Sequence, residues 1–167
     1  MRLAVGDVVV YGTHGIGRIA ARKQQSVLGG VQEVVVLELA DGLTVTLPLT
    51  RAQEQLRPLA SEADMDRVRK TLREDRVLSN DPWLSRRRET LAKLTGGDPV
   101  ELAEIVGDGA QRERARRAKG DKPQLSTGER EIFVKARNLL ADEIARARGI
   151  QQTEADGWID DQLTRTT

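Results

Sequence analysis

Trp83 is one of two tryptophans in a chain of 167 residues, and the densest basic run, Arg86-Arg87-Arg88, follows it at once. A flat indole beside guanidinium groups suits one chemistry in particular. The ring can pack on a base step and hold it partly unstacked, while the arginines bind phosphates. Stacking of this kind is worth roughly 1–3 kcal/mol per base and tolerates any sequence. A structural alternative stands beside it. An aromatic at the border of a helix's apolar stripe can simply finish a core, and a basic run can be a solvated face.

Other residues offer less. Arg112, Arg114, Arg116, Arg117, Lys119 and Lys122 form a second basic cluster, diluted by Glu113 and Asp121. It either extends a DNA track or stays solvated. Trp158 shares a helix face with Ile159 and Leu163, which points to core packing. His14 is the only histidine, and it sits in a glycine-flanked turn. With no cysteine, disulfides and the usual zinc patterns cannot be built. No Gly-x-x-x-x-Gly-Lys-Ser/Thr occurs. Gly12-x-x-Gly15-x-Gly17 lies between two strands, so it is no dinucleotide fingerprint. The carboxylates read as helix surface or caps. The expectation is a protein with no catalytic residues, no metal and no cofactor.

Composition agrees with a binding role. Apolar residues are 38% and charged residues 32%, which fits two small cores better than one large one. The net charge is only +1, so local clusters must carry any nucleic-acid contact. No apolar run approaches a membrane span, and the first residues lack the apolar region of a signal peptide. A cytoplasmic, non-membrane protein is expected.

The elements that would position Trp83 follow from patterning. Residues 7–11, 16–24, 32–39 and 43–48 read as strands, β-branched or alternating, with turns at Gly12-Thr13-His14-Gly15, Gly29-Gly30 and Asp41-Gly42. Asp41-Gly42 suits a type I′ turn. Residues 56–60 read as a linker. Ser61 caps a helix to about Glu74 with Met65, Val68 and Leu72 on its apolar stripe. Asp81-Pro82 starts a helix to about Thr95, ended by Gly96-Gly97. There Leu84, Leu91 and Leu94 define the buried stripe, and Trp83 lies about a quarter-turn away. Asp98-Pro99 starts a third helix, which Gly107 and Gly109 weaken and which is expected to give way over 112–122. Ser126-Thr127-Gly128-Glu129 reads as a capping box. It opens a helix with Ile132, Phe133, Ala136, Leu139, Leu140 and Ile144 in phase, stopped by Gly149. A last helix covers about 153–164. The fold class is α+β: a small, bent antiparallel sheet or barrel, then about five helices.

The order of these parts resembles the CarD/CdnL family of bacterial transcription regulators. Val5-Gly6-Asp7-Val8-Val9-Val10-Tyr11 with His14-Gly15-x-Gly17 is similar to the family's start, shared with the polymerase-binding module of the transcription–repair coupling factor. Trp83-x-x-Arg86-x-Arg88, Leu91-x-x-Leu94 and Gly97-Asp98 resemble its DNA-binding helix. Ser126-x-Gly128-Glu129 and Ala136-Arg137-x-Leu139-Leu140-x-x-Glu143 resemble its late helix. The resemblance implies a Tudor-like β barrel over 1–58 that binds the RNA polymerase β subunit. The contact strand would be Val45-Thr46-Leu47-Pro48. A helical domain over 59–167 would contact promoter DNA, with Trp83 as a minor-groove wedge at the upstream edge of the bubble and Arg86 and Arg88 at basic positions beside it; Arg87 joins them as a DNA-binding candidate from the basic run itself. The effect would be a stabilised open complex, from a monomer held at the nucleoid by polymerase. Gln25 and Thr46 stand where some members carry arginines. The rival reading is a β-barrel adaptor of polymerase or a repair factor that never touches DNA.

Overall fold

The computed structural model describes residues 2–122 and 124–165, apart from the side chain of Val27. The chain divides into two compact units, Met1–Leu59 and Ala60–Thr167. Among the described residues no helix is long and apolar enough to cross a membrane.

The first unit is an antiparallel sheet of β1 (Val8–Val10), β2 (Ile16–Val27), β3 (Gly30–Leu39), β4 (Thr44–Pro48) and β5 (Arg57–Pro58), in the order β4-β3-β2-β1-β5. Alternation turns Val35, Leu37 and Leu39 of β3 inward, where they meet Leu3, Val9, Ile19 and Leu47. A register shift between Ile19 and Ala21 marks a bulge in the β2–β3 pair. Three details differ from expectation. Pro48 ends β4 but also opens a helix, α1 (Leu49–Gln55), whose Ala52 enters the core. The expected linker contains β5, which pairs with β1 through Val9 and Val10. The Asp41-Gly42 turn has positive φ only at Gly42, so it is not type I′. Instead Asp41 Oδ1 accepts the Leu43 N–H at 3.0 Å, a side-chain-closed turn.

Among its described residues the second unit holds five helices: α2 (Glu62–Arg73), α3 (Trp83–Gly96), α4 (Pro99–Ala118), α5 (Thr127–Arg148) and α6 (Gln152–Thr164). The class is therefore α+β, and the count exceeds expectation only by α1. Ser61 caps α2 in a full capping box with Asp64. The Ser61 N–H, bonded to the Asp64 carboxylate, holds that group below its ordinary value of 3.8. Met65, Val68, Leu72, Leu102, Val106, Ala136, Leu140, Ile144 and Ile159 build the core, where alanines replace the missing aromatics.

Helix α4 runs unbroken through Gly107 and Gly109 to Ala118, beyond where loop was expected. The glycines serve packing rather than bending. A Cβ on Gly107 would lie 2.8 Å from the Arg76 guanidinium, and one on Gly109 only 2.3 Å from the Phe133 ring. Their helix cost, roughly 1 kcal/mol each, is offset by this close approach.

Gly109→Ala is expected to lower the urea midpoint, because overpacking costs about 1–3 kcal/mol and outweighs the gain in helix propensity. Gly157 is the control: it is exposed in α6, and a Cβ added there would find nothing within 4 Å. Gly157→Ala is expected to raise stability by about 0.5–1 kcal/mol. Equal effects of the two substitutions would refute the packing account.

Candidate nucleic-acid interface

Helix α3 begins where Pro82 sits in extended backbone, φ −59° and ψ 154°, and no side chain caps its first turn. Asp81, the expected cap, instead donates its N–H to Ser79 Oγ at 3.1 Å. The positive end of α3 is therefore not answered by a capping carboxylate. Gly97, left-handed at φ 68°, ends the helix.

The inward stripe of α3 is not the one expected from its leucines. Leu94 is buried and Leu91 half-buried, but Leu84 is 83% exposed. Trp83, Arg86 and Thr90 are half-buried in its place. The physical reason is a charge. Glu129, in the first turn of α5, is only 5% exposed. Arg86 Nη2 meets its Oε1 at 2.9 Å. Arg86 Nη1 lies 3.8 Å from Asp108 Oδ2, and its Nε donates to the Asp81 carbonyl at 3.1 Å. Arg112 completes the set, with Nε 2.8 Å from Asp108 Oδ2 and 3.9 Å from Glu129 Oε1. A buried carboxylate demands such partners. Drawing Arg86 inward rotates α3 away from its all-apolar phase and leaves Leu84 in solvent.

Trp83 is held by this arrangement. Its ring centroid lies 5.4 Å from the Arg86 guanidinium carbon, a cation–π contact. On the α5 side a Cβ on Gly128 would come within 3.3 Å of the indole Nε1. The ring packs against the helical core yet stays partly open to solvent.

The three arginines thus part company. Arg86, expected at phosphate, is engaged inside the protein. Arg87 and Arg88 are exposed and make no ion pair among the described residues. In the second cluster, Arg112 is internal, Arg114 Nη2 donates to the Leu163 carbonyl at 2.9 Å, and Arg116 Nη1 donates to that of Gln124 at 2.6 Å. Arg117, Lys119 and Lys122 are exposed. Trp158 is half-buried between Arg69 and Arg148, whose guanidinium carbons lie 5.9 and 5.1 Å from its ring.

Glu129 and Asp108 are the residues that sequence reasoning missed. The sequence suggested a capping box, but Ser126 makes no side-chain cap bond and Glu129 turns inward. A signal existed: Glu129 is in phase with Ile132, Phe133 and Ala136, so it lies on the buried stripe. Both carboxylates are matched by arginines, and no group of three or more candidate ligands for a metal occurs among the described residues. His14 is exposed, with its ring 4.7 Å from that of Tyr11.

In the first unit, Val45, Thr46, Leu47 and Pro48 lie on β4, an edge of the sheet that pairs only with β3. Leu47 is buried in the core and Thr46 is exposed, while Val45 and Pro48 are half-buried. Gln25 is exposed on β2, opposite Gln32.

Comparison with known proteins adds to this geometry. Residues 67–160 match the family model described as CarD, C-terminal domain. Residues 3–60 match that described as CarD-like/TRCF RID domain. The chain is also similar to YdeB of Bacillus subtilis (strain 168), named as a candidate transcription factor. The two are 26% identical over 155 residues, covering 90% of this chain and 95% of that protein.

The clamp on Trp83 is testable. Glu129→Gln keeps the volume and removes the charge that Arg86 and Arg112 answer, at an expected cost of about 1–3 kcal/mol in stability. In a Trp158→Phe background, the emission of Trp83 is expected to shift to longer wavelength as the ring loosens. An unmoved spectrum would show that Arg86 does not need Glu129 to hold the indole.

Proposed function

This chain belongs to the CarD family, and we propose that it stabilises the promoter open complex by binding RNA polymerase with its sheet and DNA with α3. The family is one of transcription factors rather than enzymes, and its RID domain is an RNA-polymerase-interacting, Tudor-like module. The finer assignments are our reading: the β subunit as partner, β4 as the contact, and promoter DNA as the ligand of α3.

The observation that carries the DNA reading is the first turn of α3. It is uncapped, it presents a clamped and partly exposed indole, and Arg87 and Arg88 beside it have no protein partner among the described residues. Trp83 acts as a wedge in the minor groove at the upstream edge of the bubble and hinders reannealing. Arg87 and Arg88 bind phosphates. Arg86 serves by positioning the ring. With so few phosphate contacts the affinity for free DNA is low, in keeping with a net charge of +1. Polymerase binding supplies the missing local concentration.

For the polymerase contact, the support is the edge position of β4. A partner strand can add there through backbone hydrogen bonds, with Thr46 outward and Leu47 anchored in the core. The packing of Trp83 against the helical core favours a second reading, an adaptor that binds polymerase without touching DNA.

Open-complex lifetime on an unstable promoter separates the two. Wild type is expected to prolong it, and Trp83→Ala to lose the effect while still binding polymerase. Equal prolongation by both would make Trp83 a packing residue and bring the adaptor forward. Thr46→Pro removes a backbone donor that the register turns away from β3, toward the open edge, and is expected to weaken polymerase binding at least ~10-fold with the helical unit still folded. Unchanged affinity would move the interface off β4.

A further inference from the structure

The first turn of α3 presents a second apolar group, one that the clamp on Trp83 leaves wholly unused. Leu84 is 83% exposed, whereas Trp83 is half-buried between Arg86 and Gly128. Scattered exposed leucines are ordinary and need no explanation. This one has a particular setting. Residues three and four apart are neighbours on a helix surface, so Arg87 and Arg88 flank Leu84 on its C-terminal side. Both are exposed, and neither makes an ion pair among the described residues. Glu89 lies on another face, with Oε1 4.0 Å from Lys93 Nζ. Helical Cα–Cβ bonds tilt toward the N-terminus, so Leu84 leans out past the uncapped end.

The charges select the occupant. An apolar side chain flanked by two unanswered cations suits a polyanion that offers apolar surface between its charges. A DNA groove, with sugar edges and base steps between rows of phosphates, has that character, and leucine is among the side chains that wedge into base steps. We propose that Leu84 is a DNA-contacting residue in its own right, the second member of a two-residue wedge with Trp83. The indole is fixed in orientation by Arg86 and Gly128. Leu84, the more exposed of the two, meets the groove beside it, while Arg87 and Arg88 hold the phosphates. The inference rests on the promoter-DNA reading above.

The test uses the full chain with polymerase holoenzyme on an unstable promoter. Open-complex lifetime, polymerase affinity and thermal midpoint are measured for wild type, Leu84→Ala, Leu84→Met and Trp83→Ala. Because Leu84 is 83% exposed in the free protein, Leu84→Ala is expected to leave the midpoint and polymerase affinity unchanged. It is expected to shorten the lifetime roughly 3–10-fold, the factor for losing part of a leucine's burial. Leu84→Met, similar in volume and apolar character, is expected to restore it. If Leu84→Ala matches wild type while Trp83→Ala loses the effect, Leu84 is a bystander and this proposal falls, with the DNA reading intact. If neither substitution changes the lifetime, the DNA reading itself fails and takes this inference with it. Loss of polymerase affinity in Leu84→Ala would assign the residue to a protein contact and overturn the proposal.

Discussion

A carboxylate shut away from water is the constraint on which the helical unit turns. Glu129 needs cations, and it draws Arg86 from α3 and Arg112 from α4 to one point. Asp108 shares both arginines, so the charges alternate rather than accumulate. From this requirement the rest of the α3 surface follows. With Arg86 inward, its guanidinium lies beside the indole, the ring is pressed toward Gly128, and Leu84, Arg87 and Arg88 are left outside. One buried ion pair decides which side chains of α3 meet solvent. Buried pairs are weak sources of net stability, and orientation is the better attested reason to keep one.

The segment leading into α3 is fastened by the same kind of chemistry. Arg76 lies over Gly107 and donates to the carbonyls of Glu104 and Thr71 at 2.8 and 2.5 Å. Gln111 receives the Arg76 backbone N–H and donates to the Glu74 carbonyl. Arg112 reaches the Ser79 carbonyl at 3.1 Å. The loop, whose Val77 is fully exposed, is thus held by polar side chains: its own Arg76, and Gln111 and Arg112 of α4. The close approach that Gly107 permits is what gives Arg76 its seat.

Much of the fold was legible in the sequence, because strands and helices here obey their periods. The Val-rich run of β3, the Ser61 and Asp98 caps and the stripe of α5 all appear where patterning puts them. The candidate site was legible only in part. Trp83 and its arginines stood out by residue type, but the phase of α3 was misread. Patterning assumes that buried positions are apolar, and α3 buries part of an arginine while exposing a leucine. The signal for that inversion lay on another helix, in Glu129. Gly107 and Gly109 misled for a related reason: helix propensity is local, whereas their value lies in what packs against them. Likewise α1 and β5 fall in a stretch too short and too mixed for either period to register.

The open edge at β4 also bears on what the sheet leaves unpaired. Unpaired backbone on a sheet edge invites pairing with any extended chain, an identical molecule included. Here that exposure is brief. The strand is five residues long, it closes on a proline that has no N–H to offer, and the chain turns at once into α1. The opposite edge, β5, is only two residues and also ends in proline. The hairpin of β2 and β3 runs past its short neighbours on both sides: β1 pairs only with Ile16–Arg18 of β2 and β4 only with Val34–Glu38 of β3, so most of the unpaired backbone of this sheet lies along that hairpin rather than at its named edges.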